Sequence, residues 1–240
     1  MSYLVLDIEA VVDPSLWTEP PKEEWKDGKK PFAPVYAWKP IAIGSMLLDH
    51  DFTFRKMGIF GEARGADEEG MVRDYIAYMD EHRPILVTWN GRGYDVPVLN
   101  MRAMHYGLTS KWYFVKGTRY RYSEEGHLDL KDQMHDYGAV SGVGLDSMAK
   151  VIGLPGKIGV DGSMVGQMYA DGKIKEIRDY CLCDVVQTAF VLLRWRLFSG
   201  ELSLERYRMV AEQLLDETQE NPATKELAGK VDRKVLLLET

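Results

Sequence analysis

Residues 173–199 read as one long apolar helix, and within it stands a carboxylate that such a helix has no ordinary use for. Asp184 lies among Val185, Val186, Ala189 and Phe190. Buried Asp is rare unless it is paired. Tyr180 comes four residues earlier, so its phenol and the Asp184 carboxylate point from one helix face. Two ordinary explanations are open. An Arg could neutralise Asp184, and Tyr180 could be a core aromatic with a satisfied hydroxyl.

Three further acids bear on that choice. Asp7 and Glu9 are two apart in a run, residues 3–9, that reads as a buried strand, so both project from the same side. Side by side at the end of a buried strand, they repel one another and lose hydration, which protonation or a cation must relieve. The alternative is a strand emerging into solvent. Asp95 closes the turn Asn90-Gly91-Arg92-Gly93-Tyr94-Asp95, after a short strand at 84–89 and before a helix at 96–105. An acid there also suits a helix N-cap or first turn. Asn90 likewise suits a plain turn.

The rest of the chain organises around these motifs. Residues 13–40 form an irregular, Pro- and Lys-containing excursion with Trp17, Trp25 and Trp38. Residues 41–48 and 52–60 flank Asp49-His50-Asp51 as a hairpin. Residues 67–81 place Met71, Val72, Tyr75, Ile76 and Met79 at helical spacing. Helices follow at 145–152, at 163–169 with Ser163 as cap, at 173–199 and at 204–216, and residues 221–240 give a weak pattern. Strands first and helices after imply a mixed sheet covered by helices. At 240 residues with 45% hydrophobic content, the chain suits one sizeable core. Cys181 and Cys183, two apart on a helix, face different ways and read as reduced thiols. With no membrane-length apolar run and no secretory pattern at the N-terminus, a cytoplasmic protein is expected. A net charge of −7 means that any grip on a polyanion must come from local patches and bound cations.

Taken in order, Asp7-Ile8-Glu9, Asn90 to Asp95 and Tyr180 to Asp184 resemble the three motifs of the DEDD superfamily of 3′–5′ exonucleases. The Y-x-x-x-D form is that of the DEDDy branch; the sister branch has His at the position held here by Asp179. More narrowly, the chain is similar to predicted stand-alone exonucleases related to the proofreading domain of B-family DNA polymerases. His127-Leu128-Asp129-Leu130, Leu145-Asp146-Ser147-Met148-Ala149 and Gly153-Leu154-Pro155-Gly156-Lys157 add to the likeness. The resemblance implies an α/β, RNase H-like fold, a mixed β-sheet flanked by helices. It covers residues 1–200, with 13–40 as an insertion and 201–240 as a helical extension of the same domain.

The same resemblance implies a site and a chemistry. Asp7, Glu9 and Asp184 would hold one divalent ion, Asp7 would bridge to a second, and Asp95 would support the second directly or through water. Hard carboxylate oxygens suit Mg²⁺ or Mn²⁺. Tyr180 would orient the attacking water, and Asn90 and Tyr94 would touch the terminal nucleotide. The implied substrate is single-stranded nucleic acid, DNA favoured over RNA, cut from the 3′ end to nucleoside 5′-monophosphates. An exoribonuclease, a non-catalytic nucleic-acid-binding module and a carboxylate-pair glycosidase are the alternatives. Residues 116–122 interleave cations and aromatics, as both single-strand-binding surfaces and exposed strands do. Lys157 suits either a phosphate contact or a solvated surface position.

Overall fold

The structure, a computed structural model describing residues 1–29, 31–115 and 117–239, is built on a strand whose two faces meet different helices. That strand, β1, runs Tyr3–Val12. Its even positions Leu4, Leu6 and Ile8 pack into one core cluster, and its odd positions Tyr3 and Val5 into another. β2 (Trp38–Leu48) and β3 (Phe54–Ile59) extend the sheet antiparallel on one side, joined as the expected hairpin. β4 (Ile85–Thr88) and β5 (His127–Asp129) run parallel to β1 on the other, giving the order β3-β2-β1-β4-β5.

The even face is covered by α1 (Glu68–His82) and α2 (Asp95–His105). Asp67 caps α1 by accepting from the Gly70 N–H, and the five apolar residues read from the pattern are all buried. The odd face is covered by α6 (Ile174–Phe198), flanked by α4 (Leu145–Val151), α5 (Val165–Ala170) and α7 (Leu204–Glu220). α6 is apolar around most of its girth because it has the sheet on one side and helices on the other. Short α3 (Leu130–Met134), α8 (Lys225–Ala228) and α9 (Arg233–Leu237) complete the helices; the last two fill the weakly patterned tail and join the same core as α6. No helix among the described residues is long and apolar enough to cross a membrane.

Several local expectations are corrected. β1 does not end at its carboxylates but continues three residues past Glu9, and Val11 is buried again with Ile177 and Tyr180. Beyond Glu9 the β1–β2 register shifts, with Glu9 opposite Ala42 but Ala10 opposite Pro40. Pro40 has no N–H for a ladder, so a bulge is the place that tolerates it. The helix at 165–170 is preceded by a tight turn capped by Asp161, not Ser163, whose N–H and hydroxyl both donate to Asp161. Around 111–122 the described residues form turns and no strand; Lys116, part of the basic-aromatic run, lies outside the described residues, as does Thr240 of the tail. The irregular excursion is pinned at its base. Buried Arg102 pairs with Glu68 and with Asp13, and the Asp13 N–H donates to the Ala37 carbonyl at 2.7 Å.

α6 can cross the sheet closely because β2 offers a glycine there. A Cβ at Gly44, the residue opposite Asp7, would lie 2.7 Å from Cys181 Sγ and 3.2 Å from a Val185 methyl. Gly44→Ala is therefore expected to overpack this crossing and cost about 1–3 kcal/mol in urea denaturation. Adding Cys181→Ala should recover much of that loss, because the nearest colliding atom is removed.

Candidate metal centre

The carboxylates sit in a row that is otherwise hydrocarbon. Along the odd face of β1 the order is Tyr3, Val5, Asp7, Glu9, Val11, with apolar clusters under α6 at both ends. A strand edge running out into water is thereby ruled out. α6 brings Asp184 to the same place, so that ligand atoms of Asp7, Glu9 and Asp184 all lie within 4.8 Å of one another. Glu9 is buried, and Asp7 and Asp184 are half-buried. None of the ion pairs among the described residues involves Asp184, so the Arg explanation fails. Its neutral partners are Gln187 Nε2, donating at 3.2 Å, and the Tyr180 hydroxyl one turn earlier.

Crowding leaves its mark on every group. Burial pushes Asp7 and Glu9 well above the usual carboxylate range, and the neighbouring acids push them further. Asp184 is raised by burial to about 6, although Tyr180, Lys157 and Gln187 all favour its charged form. Burial and the same anions hold the Tyr180 phenol far above its ordinary value, so it stays a hydrogen-bond donor. Cys181 Sγ lies 3.4 Å from the Asp7 carbonyl and 3.6 Å from its carboxylate, a buried free thiol pressed into the site by the helix crossing.

Asp95 is brought close, and one of its oxygens holds the strand. β4 pairs with β1 only as far as Val5, which leaves the Ile8 N–H without a strand partner on that side. Asp95 Oδ1 accepts it at 3.1 Å. Asp95 is the first residue of α2, buried, and burial raises it to about 7. It is not one of the acids in the 4.8 Å cluster, yet its charge is the largest neighbouring influence on Asp7. Asn90 has a left-handed φ of 67°, and its N–H donates to Asp129 Oδ1 at 2.8 Å. Its side-chain oxygen accepts from Lys131 Nζ at 3.0 Å. Tyr94 packs beside the carboxylates, whose charges together with burial push its phenol up.

Residues that sequence reasoning undervalued hold this arrangement. Asp129, at the end of β5, accepts the N–H groups of Asn90 and Arg92, clamping the turn that aims Asp95. Arg92 turns back to donate to the carbonyls of Thr118 and His127. Lys157 is exposed, but its charge favours the ionised forms of Glu9 and Asp184. It is placed by its own N–H, which donates to Asp146 Oδ1 at 2.8 Å, and by Gly156 (φ 74°), where a Cβ would strike that oxygen at 2.2 Å. The Asp146 and Gly156-Lys157 stretches are thus two halves of one device. Gln187, at i+3 from Asp184 on an apolar helix, was the signal for the remaining partner.

The chemistry of the donor set fits a hard divalent cation: three clustered carboxylates, short of compensating cations, all raised in pKa by burial and, at Asp7 and Glu9, further by neighbouring acids. A second grouping of acids, Asp49, His50 and Asp51, lies at the β2–β3 turn; Asp49 and Asp51 are already paired with Arg55 and Arg206.

Comparison with known proteins gives a consistent picture. Residues 30–230 match a family described as predicted 3′-5′ exonucleases related to the exonuclease domain of PolB. That span holds Asp95, Tyr180 and Asp184, whereas Asp7 and Glu9 lie ahead of it on β1. Among solved structures, the family B DNA polymerase from the hyperthermophilic archaeon Pyrobaculum calidifontis superposes with a TM-score of 0.52 at 15% identity. The match covers 91% of this chain and 29% of the polymerase, and it shows a shared RNase H-like fold. No curated protein sequence matches the chain significantly.

The raised carboxylates set a sign for stability against pH. Between the unfolded value near 4 and the folded values near 6 and 7, the native state holds protons that the unfolded chain has released. Without divalent cations, stability therefore falls as pH rises from about 6.5 to about 8, above the range in which His127, held neutral by burial, contributes the opposite slope. Asp13, Asp51, Asp146 and Asp161 are shifted downward, so their opposite slope is confined below the usual Asp range. Thermal unfolding in chelator should show this fall, and Mn²⁺ should remove it. Asp184→Asn should raise the melting point at about pH 8 in chelator, by about 2–4 °C per kcal/mol of relieved repulsion.

Proposed function

Because the chain belongs to the family of predicted 3′-5′ exonucleases related to the exonuclease domain of PolB, we propose that it shortens single-stranded DNA from the 3′ end, releasing nucleoside 5′-monophosphates. The observation that carries this reading is the meeting of ligand atoms of Asp7, Glu9 and Asp184 within 4.8 Å, with the Tyr180 hydroxyl hydrogen-bonded to Asp184. Asp7, Glu9 and Asp184 would hold one Mg²⁺ or Mn²⁺, and Asp7 with Asp95 would serve a second. Bound there, two divalent cations supply charge stabilisation for both the attacking and departing oxygens of an in-line displacement.

The chain's own residues do the rest. The Tyr180 phenol, kept protonated by burial and by Asp184, orients the water and does not act as the base. Asp95 holds β1 in place through the Ile8 N–H, which fixes the direction of Asp7 beside it. Lys157, at the rim of the cluster, offers its ammonium to the phosphate being cut. Asn90, with its side-chain oxygen committed to Lys131, presents its amide NH₂ to the terminal nucleotide, and Tyr94 presents its ring. Water adds to phosphorus, and the 3′-oxygen departs with the shortened strand. The preference for DNA follows the kinship with the exonuclease domain of PolB.

Digestion of 5′-labelled and 3′-labelled oligonucleotides with Mn²⁺, Mg²⁺ or chelator tests the reading. The 3′ label should be released at once while the 5′-labelled strand shortens stepwise, and chelator should stop both. Asp7→Ala and Asp184→Ala should fall to background; unchanged activity in either would overturn the assignment. Tyr180→Phe should lose about 10- to 100-fold in kcat through misplaced water, with Mn²⁺ affinity retained. Matched RNA should be cut more slowly than DNA.

A further inference from the structure

The excursion between β1 and β2 builds a cleft that the exonuclease reading leaves without a role. It has a volume of about 930 Å³ and starts at Ala10 and Val11, the residues that follow Glu9 on β1. Trp17 and Phe32 from the excursion and Trp38 at the start of β2 line it, together with Tyr169 of α5. Phe32 stacks on Trp38 with ring centroids 4.8 Å apart, and both rings meet Tyr94 edge-on at 5.8 and 5.7 Å. One continuous aromatic surface therefore runs from the cleft to the residue next to Asp95.

We propose that this cleft is a nucleobase subsite, in which unpaired bases next to the cleaved bond lie against Phe32 and Tyr169. The inference rests on the exonuclease reading and names what that site would hold. Phe32 is 69% exposed and Tyr169 41% exposed, so aromatic surface is offered to a ligand rather than spent on the core. The stack behind Phe32 explains how so exposed a ring is held in place: Trp38 is fixed in turn by its Nε1–H, which donates to the Ala33 carbonyl at 2.9 Å. Stacking is tolerant of sequence, because every base has a π-face. Charge agrees with bases rather than phosphates as occupants. Among the described lining residues only Glu19 and Lys39 are charged, whereas neither the clustered carboxylates nor Lys157, the groups a phosphate would meet, line the cleft. Paired bases could not splay into a cleft of this kind, so the subsite favours frayed or single-stranded ends.

The test is a cycle between ring and base. A fluorescent oligodeoxythymidylate is compared with the same strand carrying abasic residues at its 3′ end, on the full chain and on Phe32→Ala and Phe32→Tyr. Two readouts are taken: kcat/KM with Mn²⁺, and binding by anisotropy in chelator. The exposure of Phe32 predicts that Phe32→Ala folds normally, which its melting curve checks. The subsite predicts that wild type loses about 5- to 100-fold on the abasic strand and that Phe32→Ala loses a similar factor on the intact strand. On the abasic strand Phe32→Ala should then lose little more, and Phe32→Tyr should behave as wild type. Equal losses from Phe32→Ala on both strands would mean that the ring only supports the fold. No loss on either would mean that the cleft holds something other than DNA, such as a protein segment; each result overturns the proposal. A wild-type protein that binds and cuts neither strand would instead sink the exonuclease reading itself.

Discussion

Three carboxylates forced into one apolar row are the constraint on which the rest of this structure depends. Asp7 and Glu9 interrupt the hydrocarbon face of β1, and Asp184 interrupts the apolar surface of α6 that lies over it. Ordinary packing would separate such groups or give each a cation. Here no ion pair among the described residues neutralises Asp184, and the positive charge that favours its ionised form is that of the exposed Lys157. The fold holds the acids against their own repulsion, at a cost that protonation relieves at low pH and that a bound cation relieves at neutral pH.

The surrounding elements can be understood as the means of holding that arrangement. Gly44 lets α6 approach β2 beside Asp7, and Cys181 occupies the space gained. Asp95 takes the place of β4 as partner to the Ile8 N–H, so β1 keeps a hydrogen-bond partner past the point where its parallel neighbour ends. Asp129 and Arg92 clamp the turn that delivers Asp95, and Asp146 with Gly156 delivers Lys157. Each device is local, yet all four converge on one face of one strand.

Much of this was legible in the sequence. The helical spacing of Met71 to Met79, the hairpin, the long helix carrying Tyr180 and Asp184 and the strand carrying Asp7 and Glu9 all follow from periodicity. What periodicity cannot give is the relation between elements. β1 was cut short at Glu9 because polar residues resemble a strand end, whereas Val11 is buried by an α5–α6 contact that the local pattern does not contain. The role of Asp129 was hidden because an Asp after a strand fits a turn, and only the fold brings it to Asn90, 39 residues away. Lys157 looked like a surface lysine, and by exposure it is one; its proximity to Glu9 arises from a tertiary loop closure. The aromatic residues of the excursion gave no pattern, because their arrangement is set by the stacking of Phe32 on Trp38 and the edge-on contact of Trp38 with Tyr94 on another element.

The central claim is that the raised carboxylates of Asp7, Glu9 and Asp184 are a cation site and not a strained core. Titration calorimetry with Mn²⁺ near pH 6, run in two buffers of different ionisation heat, tests it most directly. A saturable heat that depends on the buffer, reporting release of at least one proton as the carboxyls ionise onto the metal, is the predicted result. It should vanish in Asp184→Ala. Absence of saturable binding, or binding unchanged by that substitution, would contradict the account.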